Sequence, residues 1–312
     1  MINDAFRGAG ALLIVLALCR GSAYGFTKLA LHGLSPGQIV LLRLFFGAAL
    51  LSIWTVITLR RIDWIASDWR GGLVHALIGN LLPIALITVG QQSVPSGLAA
   101  VLMALTPLFT ALLAHVLLPD EKLTGKALLG LATGFSGVLT IVMARGGPQV
   151  NESMLPGLLA LTAAALCFAL QTVFSRKWSP QSPIGTSALS LLVATVLALP
   201  FIDIGPDIMA ASAQTITASV ALGVVCTAIA LLVMLKLAER AGAGFVSSAN
   251  YLIPVVGLAV GALFLNEPVY RTDLLAFVLV LVGTRLVQSR PLSGGGRSGD
   301  SDAERPLACS KD

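Results

Sequence analysis

The sequence predicts an all-α integral membrane fold: ten transmembrane helices arranged as two inverted-topology five-helix repeats. Three observations carry this prediction. Apolar stretches long enough to cross a bilayer follow one another almost from end to end, landmarks of the first half recur in the second, and the basic residues fall in alternate connections. Of the 312 residues, 56% are hydrophobic and 11% charged, with a mean hydropathy of +0.89, whereas a soluble domain carries about a quarter charged residues. A hydrocarbon core roughly 30 Å thick needs about 20 apolar residues at about 1.5 Å each. The runs are long and rich in Leu, Ala, Val and Gly, which argues for helices rather than the short alternating segments of a barrel. Short connections leave no room for a soluble catalytic domain, and backbone in lipid must bond to itself.

The first expected crossing, Ala9–Leu31, follows Arg7 and contains Gly21, Ser22 and Ala23, as a cleavable signal would. It continues through Tyr24 and has a counterpart in the second half, so it is read as a retained crossing. Leu16-Ala17-Leu18-Cys19 is not a lipoprotein signal, because a small residue belongs before the cysteine. The other expected crossings are Gly37–Leu59, Gly72–Gln91, Gly97–Leu117, Gly125–Met143, Leu155–Phe174, Ile184–Phe201, Thr215–Leu235, Ala243–Leu265 and Leu274–Val287. This divides the chain into a first repeat (1–143), an external linker (144–154), a second repeat (155–290) and a Gly, Ser, Asp and Arg-rich tail (291–312) expected to be flexible and cytoplasmic.

The net charge of +5 and pI near 9.3 are explained by topology rather than by nucleic acid, which is not an expected partner. With a cytoplasmic N-terminus, the inner segments carry Arg7, Arg60, Arg61, Arg70, Lys122, Lys126, Arg176, Lys177, Lys236 and Arg240, and the tail carries Arg290, Arg297, Arg305 and Lys311. The outer side holds little beyond Arg145 and Arg271, with Lys28 near the end of the first crossing. That asymmetry puts both termini in the cytoplasm of a multi-pass cell-membrane protein, of the bacterial inner-membrane type. Cys19, Cys167 and Cys226 lie inside crossings and Cys309 in the tail, without disulfide or zinc spacing, and read as small buried hydrophobes.

Pro107 and Pro254 each sit within an apolar run and are separated by 147 residues (254 less 107). Ser35-Pro36 and Ser182-Pro183 share that offset, Leu18-Cys19 and Leu166-Cys167 are 148 apart, and Glu121 and Glu267 are 146 apart. Four landmarks in one order point to an internal duplication. Five crossings per copy is an odd number, so the second copy enters from the opposite face. Inverted repeats are a recurring architecture of secondary carriers, with the site near the midplane between the halves.

A charge at the bilayer centre costs roughly 2.5–3.5 kcal/mol on insertion scales, which makes each one a functional candidate. Arg20 lies midway along the first crossing, with Tyr24, Thr27 and Lys28 on the same helical face. Arg43 is expected in the outer part of the second crossing, within snorkelling reach of the interface. No Asp or Glu lies well inside any crossing, so the core is positive, and guanidinium suits a planar carboxylate. The competing reading of Arg20 is a bond to carbonyls freed at the Pro107 or Pro254 kink. Asn80 with Pro83, Thr106 beside Pro107, Gln171, and Ser247, Asn250 and Tyr251 before Pro254 complete the expected path, although Ser and Thr in membranes often bond only their own backbone. His75 and His115 are the candidate proton-linked groups, with satisfied interfacial histidines as the plainer reading. Gly130, Gly134, Gly137, Gly257 and Gly261 are expected at close helix contacts. No cofactor or metal is expected, and no Gly-rich nucleotide loop followed by Lys-Ser or Lys-Thr occurs.

Residues Ala99 to Leu108, running Ala-Ala-Val-Leu-Met-Ala-Leu-Thr-Pro-Leu, lead to Glu121, Leu129-Gly130 and Gly137. They are echoed by Ser247 to Pro254, Glu267-Pro268 and Gly283, with Gly21-Ser22, Lys28 and Arg43 upstream. This pattern resembles the EamA-type ten-helix members of the drug/metabolite transporter superfamily over nearly the whole membrane region. It departs at Arg20, where such proteins usually carry Trp. The resemblance implies export or uptake of small metabolites such as amino acids. The expected function is therefore a secondary transporter, not an enzyme, with a small-molecule substrate and the lipid bilayer as partners and a homodimer left open. The rivals are a membrane-embedded enzyme on a lipid-linked substrate, which would need clustered catalytic groups at one depth, and a passive channel.

Overall fold

The computed structural model describes residues 2–59, 69–119, 121–145, 154–177, 182–201 and 207–288. The expected tail, most of the expected linker, and Arg60 and Arg61 lie outside these residues. In chain order the elements are α1 (Ile2–Ala30), α2 (Pro36–Leu59), α3 (Trp69–Val74), a π-helical run π1 (His75–Leu81), α4 (Leu82–Ser93), α5 (Ser96–Met103), α6 (Thr106–Leu117), α7 (Gly125–Arg145), α8 (Met154–Lys177), α9 (Pro183–Ala198), a 3-10 turn (Leu199–Phe201), α10 (Asp207–Ala210), α11 (Ala213–Gly223), a second π-helical run π2 (Val224–Ile229), α12 (Ala230–Val246), α13 (Ala249–Phe264) and α14 (Arg271–Gln288).

Local chemistry sets several starts. Ser35 and Gln38 form a reciprocal capping box at α2: Gln38 N–H donates to Ser35 Oγ (3.4 Å) and Ser35 N–H to Gln38 Oε1 (3.0 Å). Pro36, which has no N–H to leave unpaired, takes the first helical position. At α9, Ser182 caps Gly185 N–H with Pro183 following, and at α11 Ser212 caps Thr215 N–H. The serine–proline landmarks of the sequence are thus helix starts in both halves.

Among the described residues, eight segments are long and apolar enough to cross a membrane: Gly8–Ala30, Pro36–Thr58, Gly71–Ser93, Ser96–Leu117, Met154–Arg176, Pro183–Phe201, Ala213–Gly242 and Gly244–Phe264. Ten were expected. The other two correspond to α7 and α14, which pack against each other, and α14 carries Arg271, Asp273 and Arg285 within its 18 residues. A Cβ on Gly283 would lie 2.6 Å from Gly134 N, and one on Gly130 would lie 2.7 Å from Gly283 O, so this pair touches backbone to backbone.

Elsewhere α1 lies on α13, α12 and α11, α8 lies on α4, α5 and α6, and α2 lies on α9. All eight residues of α5 are buried, and it packs on α13, α8 and α1 at the centre of the bundle. The outward surface is apolar, with Leu18, Ile57, Leu128, Leu263 and Phe264 exposed, as lipid contact requires.

The prolines behave differently from one another. The fourth crossing breaks at Ala104–Leu105 and Pro107 opens α6 at its second position, whereas Pro254 stays buried inside α13. Pro83 follows π1, where Leu82 N–H already reaches back five residues to Leu77 O. The widened turn of the π run absorbs the donor that proline lacks.

Candidate functional site

Arg20 is exposed although it lies halfway along α1. At about 100° per residue it falls on the side of the helix opposite Ile14, Val15 and Leu18, the apolar residues that α1 exposes. Its exposure is therefore to a space inside the bundle. There, among the described residues, its Nη2 meets only the thioether of Met234 on α12, at 3.6 Å, a weak acceptor. Tyr24, one turn on, is buried, and its carbonyl accepts from Gln91 Nε2 at 2.9 Å. The bond to carbonyls freed by a proline kink, weighed for Arg20 from the sequence, is not among its contacts.

Arg43 is half-buried eight residues into α2 and turns inward, not taking the escape to the interface that its place near the end of the crossing offered. Its Nε donates to Thr227 Oγ1 of π2 at 3.2 Å. Among the described residues, that leaves both terminal amino groups of the fork for another acceptor. Among the described residues neither guanidinium has a carboxylate partner; the ion pair formed there is Arg176 with Glu121. Ser22 Oγ of α1 and Cys226 Sγ of π2 are 3.8 Å apart, joining the helix that carries Arg20 to the π run that holds Arg43. Cys19, Cys167 and Cys226 are buried free thiols.

Asn80 occupies π1. Its Nδ2 donates to His75 O, five residues back, at 3.1 Å and to Ser190 Oγ of α9 at 3.2 Å. Thr227 does the same in π2: its Oγ1 donates to Leu222 O, five residues back, at 2.8 Å while accepting from Arg43 of α2. The π register leaves a carbonyl that a side chain five residues later can reach, and both runs use it. Asn80 and Thr227 are 147 residues apart, and so are Arg43 and Ser190. Each half thus reaches across to the π run of the other from the same repeat position. Thr227 and Ser190 were missed from the sequence, although the proline offset, applied to Asn80 and Arg43, leads straight to them.

Gln171 Nε2 and His75 Nε2 are 3.0 Å apart, and Gly79 leaves room for the amide, since a Cβ there would lie 2.7 Å from Gln171 Cδ. His75 is therefore held against α8. His115 is exposed and its Nδ1 accepts from Leu123 N–H at 3.2 Å, outside the inner space.

The polar residues around the prolines bond mostly to nearby groups. Thr106 Oγ1 is bonded to Met103 O at 2.8 Å and Ser247 Oγ to Gly244 O at 2.6 Å, both within their own turns. Tyr251 turns to α14, where its hydroxyl donates to Gln288 Oε1 at 2.6 Å. Asn250 is the second residue of α13. Gly21 packs on Ile253 and Val256, which places Arg20 level with that turn and Ser247 about 9–13 Å nearer the end of the bundle. A turn at Ser247–Ser248 interrupts this crossing, and the polar trio sits at that turn and the start of α13.

Comparison with known proteins agrees with this architecture. Residues 8–143 and 155–288 both match the EamA-like transporter family. The chain is 26% identical to the uncharacterized transporter YoaV of Bacillus subtilis over 87% of this chain and 93% of that protein, and 27% identical to YvbV of the same organism over 89% and 91%. It is 27% identical to a probable amino-acid metabolite efflux pump of Escherichia coli over 89% of this chain and 93% of the pump. A solved crystal structure superposes with a TM-score of 0.63 at 19% identity, covering 90% of this chain and 96% of that one, which speaks to the fold. The two matched segments, the apolar crossings and the near full-length likeness to named transporters make this chain a member of the EamA-like transporter family, a multi-pass membrane protein.

Proposed function

We propose that the chain is a secondary transporter of a small organic solute bearing a carboxylate, of the amino-acid type, worked by alternating access between two inverted five-helix repeats. In this reading α7 and α14 complete ten crossings in a bacterial inner membrane, both termini are cytoplasmic, the repeats are 1–143 and 155–290, and the working form includes a homodimer among its options. The observation that carries it is the pair of guanidiniums, Arg20 and Arg43, inside the bundle without a carboxylate partner among the described residues. A carboxylate is a far better acceptor than the Met234 thioether, and the free amino groups of Arg43 offer bidentate geometry.

The repeat reading draws support from the packing. Exchanging the first five helical passes with the second five turns the contacts of α1 with α12 and α13 into those of α8 with α4 and α6, and returns α2–α9 and α7–α14 to themselves. The cross-seam bonds Arg43–Thr227 and Ser190–Asn80 exchange in the same way. Such a seam is where carriers of this architecture hold their solute. Amino-acid export is what the names of several relatives suggest, including the Escherichia coli pump and a probable terminal-alkyne amino-acid exporter of Streptantibioticus cattleyicolor.

The test uses purified protein, melted in detergent with amino acids, simple monocarboxylates and the corresponding amides, then reconstituted for counterflow. A ligand that prefers the folded state raises the melting temperature. Carboxylates are expected to stabilise the wild type and their amides not to; Arg20→Gln is expected to lose that difference. Equal stabilisation of both proteins removes Arg20 from the site, and flux without saturation or counterflow replaces the carrier by a channel.

A further inference from the structure

Glu121 and Glu267, the repeat-related acids at the ends of two crossings, take no part in the path just described. Each is nevertheless engaged with a repeat-related neighbourhood. Asn266 is in the left-handed conformation (φ 52°), which asparagine tolerates better than most residues. This turns the chain back after α13, so that Glu267 N–H donates to Gly261 O at 3.0 Å. The Glu267 carboxylate then faces the start of α5. It accepts from Ser96 N–H and Ser96 Oγ, both at 2.8 Å, and from Gly97 N–H at 3.1 Å. Gly261 makes room for it, since a Cβ there would lie 2.6 Å from Glu267 Oε2. At the same end Lys28 of α1 donates to Gln91 O (2.7 Å), in the last turn of α4, and to Val94 O (3.3 Å), the residue that ends it. One acid and one base thus tie α1, α4, α5 and α13 together.

The opposite end carries the counterpart. Glu121 follows α6 and forms an ion pair with Arg176 near the end of α8. Arg176 stands 148 residues after Lys28 and Glu121 stands 146 before Glu267, the offsets that relate Leu18-Cys19 to Leu166-Cys167 and one acidic motif to the other. The acid of each half therefore closes an end at which the base belongs to the other half.

We infer that Lys28 with Glu267, and Arg176 with Glu121, are the two end latches of the transport cycle, one for each face of the membrane, and that opening one end requires release of its own latch while the other holds. This rests on the alternating-access reading above. The latches are unequal. Glu267 accepts three charge-assisted bonds in a half-buried setting, while the Arg176 and Glu121 side chains are 48% and 31% exposed, where an ion pair contributes little. Weakening the first latch accordingly moves the balance further than weakening the second.

The test places a reporter thiol beside Arg20 as Met234→Cys and labels it in sealed vesicles of both orientations with a membrane-impermeant methanethiosulfonate, quantified on that peptide by mass spectrometry so that the native cysteines stay. Adding Glu267→Gln is expected to raise labelling from the face bearing the α4–α5 turn by about tenfold. Adding Glu121→Gln is expected to raise it from the opposite face by about twofold. Lys28→Met and Arg176→Met repeat the two arms should a glutamate variant fail to fold. Labelling that changes from the same face in both arms, or in neither, overturns the latches while leaving the transporter reading intact. A reporter that no variant exposes from either face overturns the inner path itself, and the latches with it.

Discussion

Asn80 and Thr227 show how one side chain can serve both register and seam. Each satisfies a carbonyl that its π run leaves behind and also bonds a helix of the other half. Removing either donor leaves a carbonyl in an apolar interior, at about 1 kcal/mol net and more if water cannot enter. Asn80→Leu and Thr227→Val are therefore expected to lower the melting temperature by similar amounts, and Thr227→Val should also weaken carboxylate binding, because Arg43 loses its positioning partner. Thr133→Val serves as the control: that exposed hydroxyl bonds only its own helix, and its loss should fall within about 0.5 kcal/mol. Thermal melts with and without ligand read both effects. The two histidines separate in the same manner. His115 is exposed against a loop amide, so His115→Gln should leave gradient-driven uptake unchanged, whereas His75→Gln alters the group that faces Gln171 and should reduce uptake in proteoliposomes. Equal effects of the two would return both to the interface.

Among helices, the α7–α14 pair shows how small residues decide contact distance. Gly283→Ala drives a methyl group into the backbone of Gly134, an overpacking that costs about 1–3 kcal/mol if the helices cannot part. Gly10→Ala in α1 meets nothing within 4 Å and should be neutral or stabilising by up to about 1 kcal/mol, because glycine weakens a helix interior. Opposite signs in thermal melts of the two variants are the expected result. Elements of this kind were legible from the chain, since apolar length, serine–proline starts and glycine spacing are local signals. The π runs were not. A shift from four-residue to five-residue bonding is set by what the neighbouring helix offers, such as Gln171 against Gly79, and leaves no periodicity to read. The turn at Ser247–Ser248 inside the ninth crossing was not legible either: apolar runs mark where a helix can exist, while that turn decides where α13 begins. Glu267 capping α5 joins residues 171 apart, a contact that only the assembled bundle reveals.

For the molecule as a whole, the inverted arrangement makes a geometric prediction that is independent of any solute. The first crossing ends near His32 and the sixth begins near Leu155, while Lys122 follows the fourth and Arg240 closes the eighth. The beginning of α1 lies beside that last position, because a Cβ on Gly8 would sit 3.4 Å from Arg240 Nη1. Two repeats of five crossings, oppositely inserted, put His32 and Leu155 on one face and Lys122 and Arg240 on the other. Single cysteines at these four positions, labelled in intact cells with an impermeant maleimide, should divide in that way, and the basic pair should face the cytoplasm, as the positive-inside bias requires. Labelling of His32→Cys and Leu155→Cys from different faces would mean that the second half enters the membrane as the first does. The exchange of Arg43–Thr227 with Ser190–Asn80 would then be a coincidence of spacing, and a site shared between two oppositely facing halves would lose its physical basis.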